Sequence, residues 1–285
     1  MRQEILDWTS HGSELIATAL GIANVHLDKG PQTFDRWIVR QLNLASHLTS
    51  ESALLVLAYD RPWDAEMMMR SIAEGTVKLA FIALGTAEER VQRAHDFFHV
   101  GMDLLHYADD RKLRDFLSRV DEGDERWRPF REMLLAEEEL TRIGATYSKR
   151  SRSDFADRWS FRAMCDQLGR AGEKLYEELA HATFSYTLNS HVLHRDAIGI
   201  ALLWERQQRP EEERLALELA HASRLVSDVL SFSAARLQAI TTDDSDAKAA
   251  MLRWWKEAQQ FLRTTQAAQA SFHSVAYGDT ARPVH

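Results

Sequence analysis

The sequence predicts an all-α protein, a multi-helix bundle of about eight to ten helices with a C-terminal helical extension. Three observations carry this. Among 285 residues only 12 are Gly and 5 are Pro, so turns are few and elements are long. Ala, Leu, Glu and Arg dominate, and these favour helix. No strand-like alternation runs beyond four residues and no hairpin signal occurs.

Residues 3–27 read as a first helix, with Ile5, Trp8, Leu15, Ile16, Leu20 and Ile22 as its apolar positions. The Asp28–Gln32 stretch, with Gly30 and Pro31, breaks it. Thr33 caps a second helix that runs to about Tyr59. Asp60-Arg61-Pro62 is a boundary, because Pro suits the first turn of the helix that follows. That third helix ends at Gly85, a good C-terminal stop. Thr86 and Glu89 form a capping-box pair for a fourth helix, which continues through the 89–108 stretch.

Residues 109–124 contain a short helix, RKLRDFLSRV, and 125–146 read as a sixth helix. The basic SKRSRSD stretch from Ser148 reads as a loop and as the best candidate for a flexible segment. Trp159 and Ser160 open another short helix, and 173–194 form a further one. Residues 195–208 continue as a helix after a bend. Pro210 and the glutamates behind it start a long helix to about Ile240, and a last helix spans about 246–274. This gives a bundle core over 1–208 and a C-terminal long-helix hairpin over 209–285, packed on the core. The string ELAHA occurs at 178–182 and 218–222, but its flanks do not match, so no repeat is assigned.

A net charge of −8 argues against a general nucleic-acid-binding surface and leaves room only for a local RNA site. The single cysteine, Cys165, excludes an intramolecular disulfide and a Cys-based zinc site, and reads as structural. No charge-free apolar run is long enough to span a membrane, and the N-terminus lacks the apolar core of a signal peptide. The expected location is the cytoplasm, with no membrane partner. Eight Trp and twelve Phe are compatible with a homo-oligomeric face or a protein partner. There is no Walker A, dinucleotide-binding, nucleophile-elbow or His-Glu-x-x-His motif, and no cofactor is expected.

The most informative stretch is MMMRSIAEGTVKLAFIAL, from Met67 to Leu84. It is apolar almost all round, yet Arg70 and Glu74 share one face at a spacing of four. A buried charge needs a partner, so these two either pair with each other or face a polar pocket. Tyr186, Ser190 and His194 are also spaced by four, within an arc of about 80° on one helix. A phenol, a hydroxyl and an imidazole so aligned can complete a polar site containing a group that titrates near neutrality.

Together these motifs resemble an uncharacterised prokaryotic family, the domain of unknown function numbered 5677. Its pattern is an RSxxE helix, then Trp, then Tyr-x3-Ser-x3-His; here Arg70-Ser71-Ile72-Ala73-Glu74, Trp159 and Tyr186/Ser190/His194 follow it in order. The resemblance covers roughly residues 30–200. It implies that Arg70, Glu74, Tyr186, Ser190 and His194 form one polar cluster, and it brings no settled activity.

A weaker resemblance is to HEPN-like ribonucleases, which place Arg and His on one helix with four to six residues between them. There His handles the 2′-hydroxyl proton and Arg stabilises the phosphate, without metal. Four such pairs occur, Arg40/His47, Arg90/His95, Arg93/His99 and Arg214/His221, against about three or four from composition alone. Arg90 and His95 fit best. His95, His99, Asp103 and His106 line one helix face over about 16 Å, too far to share one ion. His95 and His99 are the metal candidates, and no metal is expected. Glu178-x-x-His181 and Glu218-x-x-His221 superficially match di-iron helices but lack their single-Glu partners.

Two functions stay open. One is a defence or toxin-type HEPN-like ribonuclease, with Arg70 on phosphate, Glu74 orienting and His194 moving a proton. The other is a non-enzymatic regulatory or scaffold module whose polar cluster is structural or binds a small anion.

Overall fold

The computed structural model describes residues 2–121, 123–170, 186 and 190–277. Among these residues there are twelve α-helices and no strand, so the protein is all-α. They are α1 (Arg2–Lys29), α2 (Phe34–Ala58), α3 (Pro62–Ala83), α4 (Ala87–His95), α5 (Gly101–Leu117), α6 (Arg128–Glu132), α7 (Glu137–Thr146), α8 (Lys149–Arg158), α9 (Phe161–Gly169), α10 (Ala197–Gln208), α11 (Glu211–Thr241) and α12 (Ser245–Tyr277). Residues 190–194 are also helical. Most of the helix expected over 173–194 lies outside the described residues.

The early boundaries follow local chemistry. Pro62 opens α3, and Gly85, at φ 143°, adopts a backbone that favours glycine just after it. Thr86 and Glu89 form the reciprocal capping box at the start of α4.

The helix count exceeds eight to ten for identifiable reasons. The stretch expected as one helix after Thr86 contains a π-helical turn, Asp96–Val100, between α4 and α5. The 125–146 stretch is broken into a 3₁₀ turn, Glu125–Trp127, then α6 and α7. Pro129 sits in the first turn of α6, where its missing N–H is tolerated. The short helix expected at 111–120 is the end of α5. The SKRSRSD stretch is a helix, α8, and not a loop: the Ser148 hydroxyl accepts from the Ser151 N–H and caps it.

One hydrophobic core runs through α1, α2, α3, α9, α11 and α12. Helix α11 packs against α1, α2, α3 and α12, and its Val226, Leu230 and Leu237 are almost wholly buried beside Ile16, Leu54 and Ile72. Helices α11 and α12 thus contribute the centre of the core as well as its cover. The Trp254 indole N–H donates to the Leu15 carbonyl at 2.8 Å and fastens α12 to α1. Each fully buried Leu or Ile contributes about 1.5–3 kcal/mol of transfer free energy.

The core also holds a cation. Arg236 of α11 is 2% exposed and donates to Thr76 Oγ1 and Ser233 Oγ, both at 2.9 Å. It has no carboxylate partner among the described residues, and its Nε has no acceptor. Burial pushes its pKa down to about 9.

Among the described residues no helix is long and apolar enough to cross a membrane.

Candidate functional site

Helix α3 carries a charged stripe, Glu66, Arg70, Glu74 and Lys78, in steps of four. Each step turns about 40° round the helix, so the four form a slowly winding row. Two polar clusters are built on this row.

The first contains the residues singled out in the sequence. Arg70 Nε donates to Glu74 Oε1 at 3.3 Å, and its Nη1 donates to Ser190 Oγ at 2.7 Å. The Tyr186 hydroxyl donates to the same Glu74 oxygen at 2.6 Å. Lys78 Nζ lies 3.5 Å from Glu74 Oε2. The Arg70 guanidinium sits 4.6 Å from the Tyr186 ring centroid, and that ring stacks on Phe161 of α9 at 4.1 Å. Four of the five residues expected to cluster therefore meet, across a sequence gap of more than a hundred positions.

The electrostatics follow from these contacts. Burial opposes ionisation of Glu74, but the Tyr186 and Arg70 hydrogen bonds and the Lys78 charge outweigh it and hold the carboxyl below its ordinary value. Burial, reinforced by the Glu74 carboxylate, pushes the Tyr186 phenol up. The site is a half-buried ion network whose acceptors are occupied from within.

His194 is the exception. It lies one helical turn beyond Ser190, is exposed, and forms no hydrogen bond or ion pair among the described residues. The imidazole that does pair in this segment is His191, whose Nδ1 is 2.5 Å from Asp196 Oδ2.

The other candidates are dispersed. Arg90 turns to Asp243, at 3.0 Å, and to Asp35, while His95 stands against the His99 ring with centroids 5.0 Å apart. Arg90 and His95 do not touch. Asp103, on the His-rich face, is held by Arg142 at 3.0 Å and by the Tyr147 hydroxyl. Among the described residues no group of three or more His, Cys, Asp or Glu could hold a metal ion. Glu178 and His181 lie outside the described residues. Cys165 is buried, and desolvation pushes its thiol up to about 12, so it is held as the unreactive thiol.

The second cluster starts at Glu66, one residue before the stretch that dominates the sequence reading. His221 Nε2 lies 2.5 Å from Glu66 Oε2, and Arg224 donates to the same carboxylate. Arg224 also pairs with Asp228 at 2.7 Å. Arg206 Nη1 lies 2.8 Å from His221 Nδ1, and its guanidinium sits 4.4 Å from the Trp63 ring centroid. A guanidinium can only donate, so Nδ1 is the acceptor and the ring proton is on Nε2, donated to Glu66. Burial lowers the His221 pKa against the pull of Glu66, which agrees with this neutral tautomer. For Glu66, burial opposes ionisation, but the hydrogen bond from His221 and the Arg224 charge prevail and lower its pKa. The four-residue charge spacing from Glu66 to Lys78 is the sequence signal that could have flagged this cluster.

No protein-family model, curated protein or solved structure matches this chain.

Proposed function

We propose that the protein is a non-enzymatic helical module, regulatory or scaffolding, in which Arg70, Glu74, Tyr186 and Ser190 form a latch. The latch fastens the segment bearing Tyr186 and Ser190 to α3. One observation carries this reading: the charges of the cluster are matched inside it. Arg70 spends Nε on Glu74 and Nη1 on Ser190, and both Glu74 oxygens face cations. A phosphate-binding arginine would offer its N–H fork to a ligand, whereas this one spans two elements of the fold.

A second reading rests on a different observation. His194 is exposed one helical turn from Ser190, the residue that accepts from Arg70. That supports a metal-independent, HEPN-like ribonuclease acting in defence, with Arg70 on phosphate, Glu74 orienting and His194 moving a proton.

Expression of the wild type, Arg70→Ala and His194→Ala, with total RNA integrity and growth as readouts, separates the two. The latch reading predicts intact RNA in all three, with Arg70→Ala thermally weakened. RNA degradation by the wild type that both substitutions abolish would establish the ribonuclease and end the latch reading.

A further inference from the structure

Next to the second cluster lies a half-open cavity of about 380 Å³ lined by residues of α3, α10, α11 and α12. Trp63, Glu66, Arg206, His221 and Arg224 line one part of it; Leu202, Leu217 and Phe272 line the rest, with the polar Gln269 and His273 beside Phe272. The volume lies within the range of small-molecule sites, and so does the mixture of apolar walls with a few converging polar groups.

The charges in the first part are not equivalent. Glu66 is in contact with Arg224 and His221. Asp228 is in contact with Arg224. Arg206 alone has no ion pair among the described residues. The carboxylates of Glu218, Glu66 and Glu205 reach it only through their longer-range fields, and burial weakens its hold on its proton. Its contacts are a neutral imidazole nitrogen and the face of Trp63. Both leave part of its N–H fork open. A half-buried guanidinium with no ion pair among the described residues, at one end of a partly apolar cavity, is the recognition chemistry for an anion with an apolar body.

We propose that this cavity binds a small organic anion, its carboxylate or phosphate on Arg206 and its apolar body against Trp63, Leu217 and Phe272. Val192 also lines the cavity, two residues from Ser190, so the Arg70–Ser190 contact steadies one wall of the site. The ligand would exchange the Arg206–His221 hydrogen bond for a charge-assisted one. His221 keeps its bond to Glu66 and stays a positioning residue, with both ring nitrogens engaged before binding.

The test uses the full chain with phenyl phosphate, benzoate, inorganic phosphate and benzyl alcohol as probes, read by isothermal titration calorimetry and thermal shift. Saturable binding of phenyl phosphate or benzoate, at least tenfold tighter than inorganic phosphate or benzyl alcohol, is expected. The two aryl anions decide whether the site prefers phosphate or carboxylate. Arg206→Gln should weaken the favoured probe by about tenfold or more, the loss of one charge-assisted hydrogen bond. Leu217→Trp should block the same probe sterically without altering a charge. Arg90→Gln, outside this cavity, should leave binding unchanged. No saturable binding of either aryl anion, or binding that survives both Arg206→Gln and Leu217→Trp, overturns the proposal.

Discussion

The Arg70 guanidinium donates to the Ser190 hydroxyl at 2.7 Å across 120 positions of sequence. This contact ties the centre of an otherwise apolar helix to a segment far along the chain. The Tyr186 hydroxyl on Glu74 makes a second tie one turn further along α3.

If the two ties act as a latch, Arg70 and Ser190 are energetically coupled. Arg70→Ala should destabilise the fold by about 1–2 kcal/mol, the net worth of a charge-assisted bond with partial solvent screening. Ser190→Ala should cost less. A double-mutant cycle by urea denaturation should give a coupling of about 1 kcal/mol. Strict additivity of the two substitutions would mean that the contact contributes nothing to stability.

The buried Arg236 gives a prediction of opposite sign. Its hydroxyl partners have other acceptors, since Thr76 also donates to the Ile72 carbonyl and Ser233 to that of Val229. Arg236→Met leaves neither hydroxyl orphaned and removes an uncompensated buried cation. It should raise stability by about 1–2 kcal/mol. A fall in the denaturation midpoint with an unchanged slope would refute this.

The early helices were legible because their boundaries are set within a few residues. Pro62, Gly85 and the Thr86–Glu89 pair act locally, and the structure reproduces those limits. The Arg70 cluster was legible only through the order of two short motifs, as nothing local says that Ser190 faces Arg70. The π turn at Asp96–Val100 left no compositional mark, since it is a difference in hydrogen-bond register within continuous helix. Helix α8 was misread because its polarity outweighed the Ser148 cap. The Glu66–His221 pairing joins positions 155 apart, and the charge row on α3 was its only trace.

Gly75 sits where α3 approaches α2. A Cβ at this position would lie 2.2 Å from Ser46 Oγ. Gly75→Ala should therefore destabilise by about 1–3 kcal/mol although Ala is the better helix former. Adding Ser46→Gly should recover part of the loss. A stabilised single variant in thermal denaturation would show that α2 and α3 have room to spare.

Acid should weaken the fold in two stages. His221 titrates below its ordinary 6.5 in the folded protein, chiefly through burial, so the unfolded chain binds the proton first and stability falls as the pH drops below 6.5. Glu66 and Glu74 titrate below their ordinary 4.5; their contribution is complete above 4.5 and is lost as the pH falls through the folded values. The melting temperature followed from about pH 8 to about pH 3 should decline in both ranges. His221→Gln should flatten the upper one, and Glu74→Gln should reduce the lower one. Burial raises the Asp228 pKa to about 6, which opposes the upper decline, so the comparison with the variant decides: an upper range that His221→Gln leaves unchanged would count against the neutral, doubly engaged His221.

Amide hydrogen exchange in residues 190–194 tests the latch most directly. Comparing the wild type with Arg70→Ala, the account predicts that exchange there accelerates by about tenfold or more while the buried amides of α2 and α11 keep their protection. Unchanged protection at 190–194 in Arg70→Ala would contradict it, because the segment would then be held without Arg70.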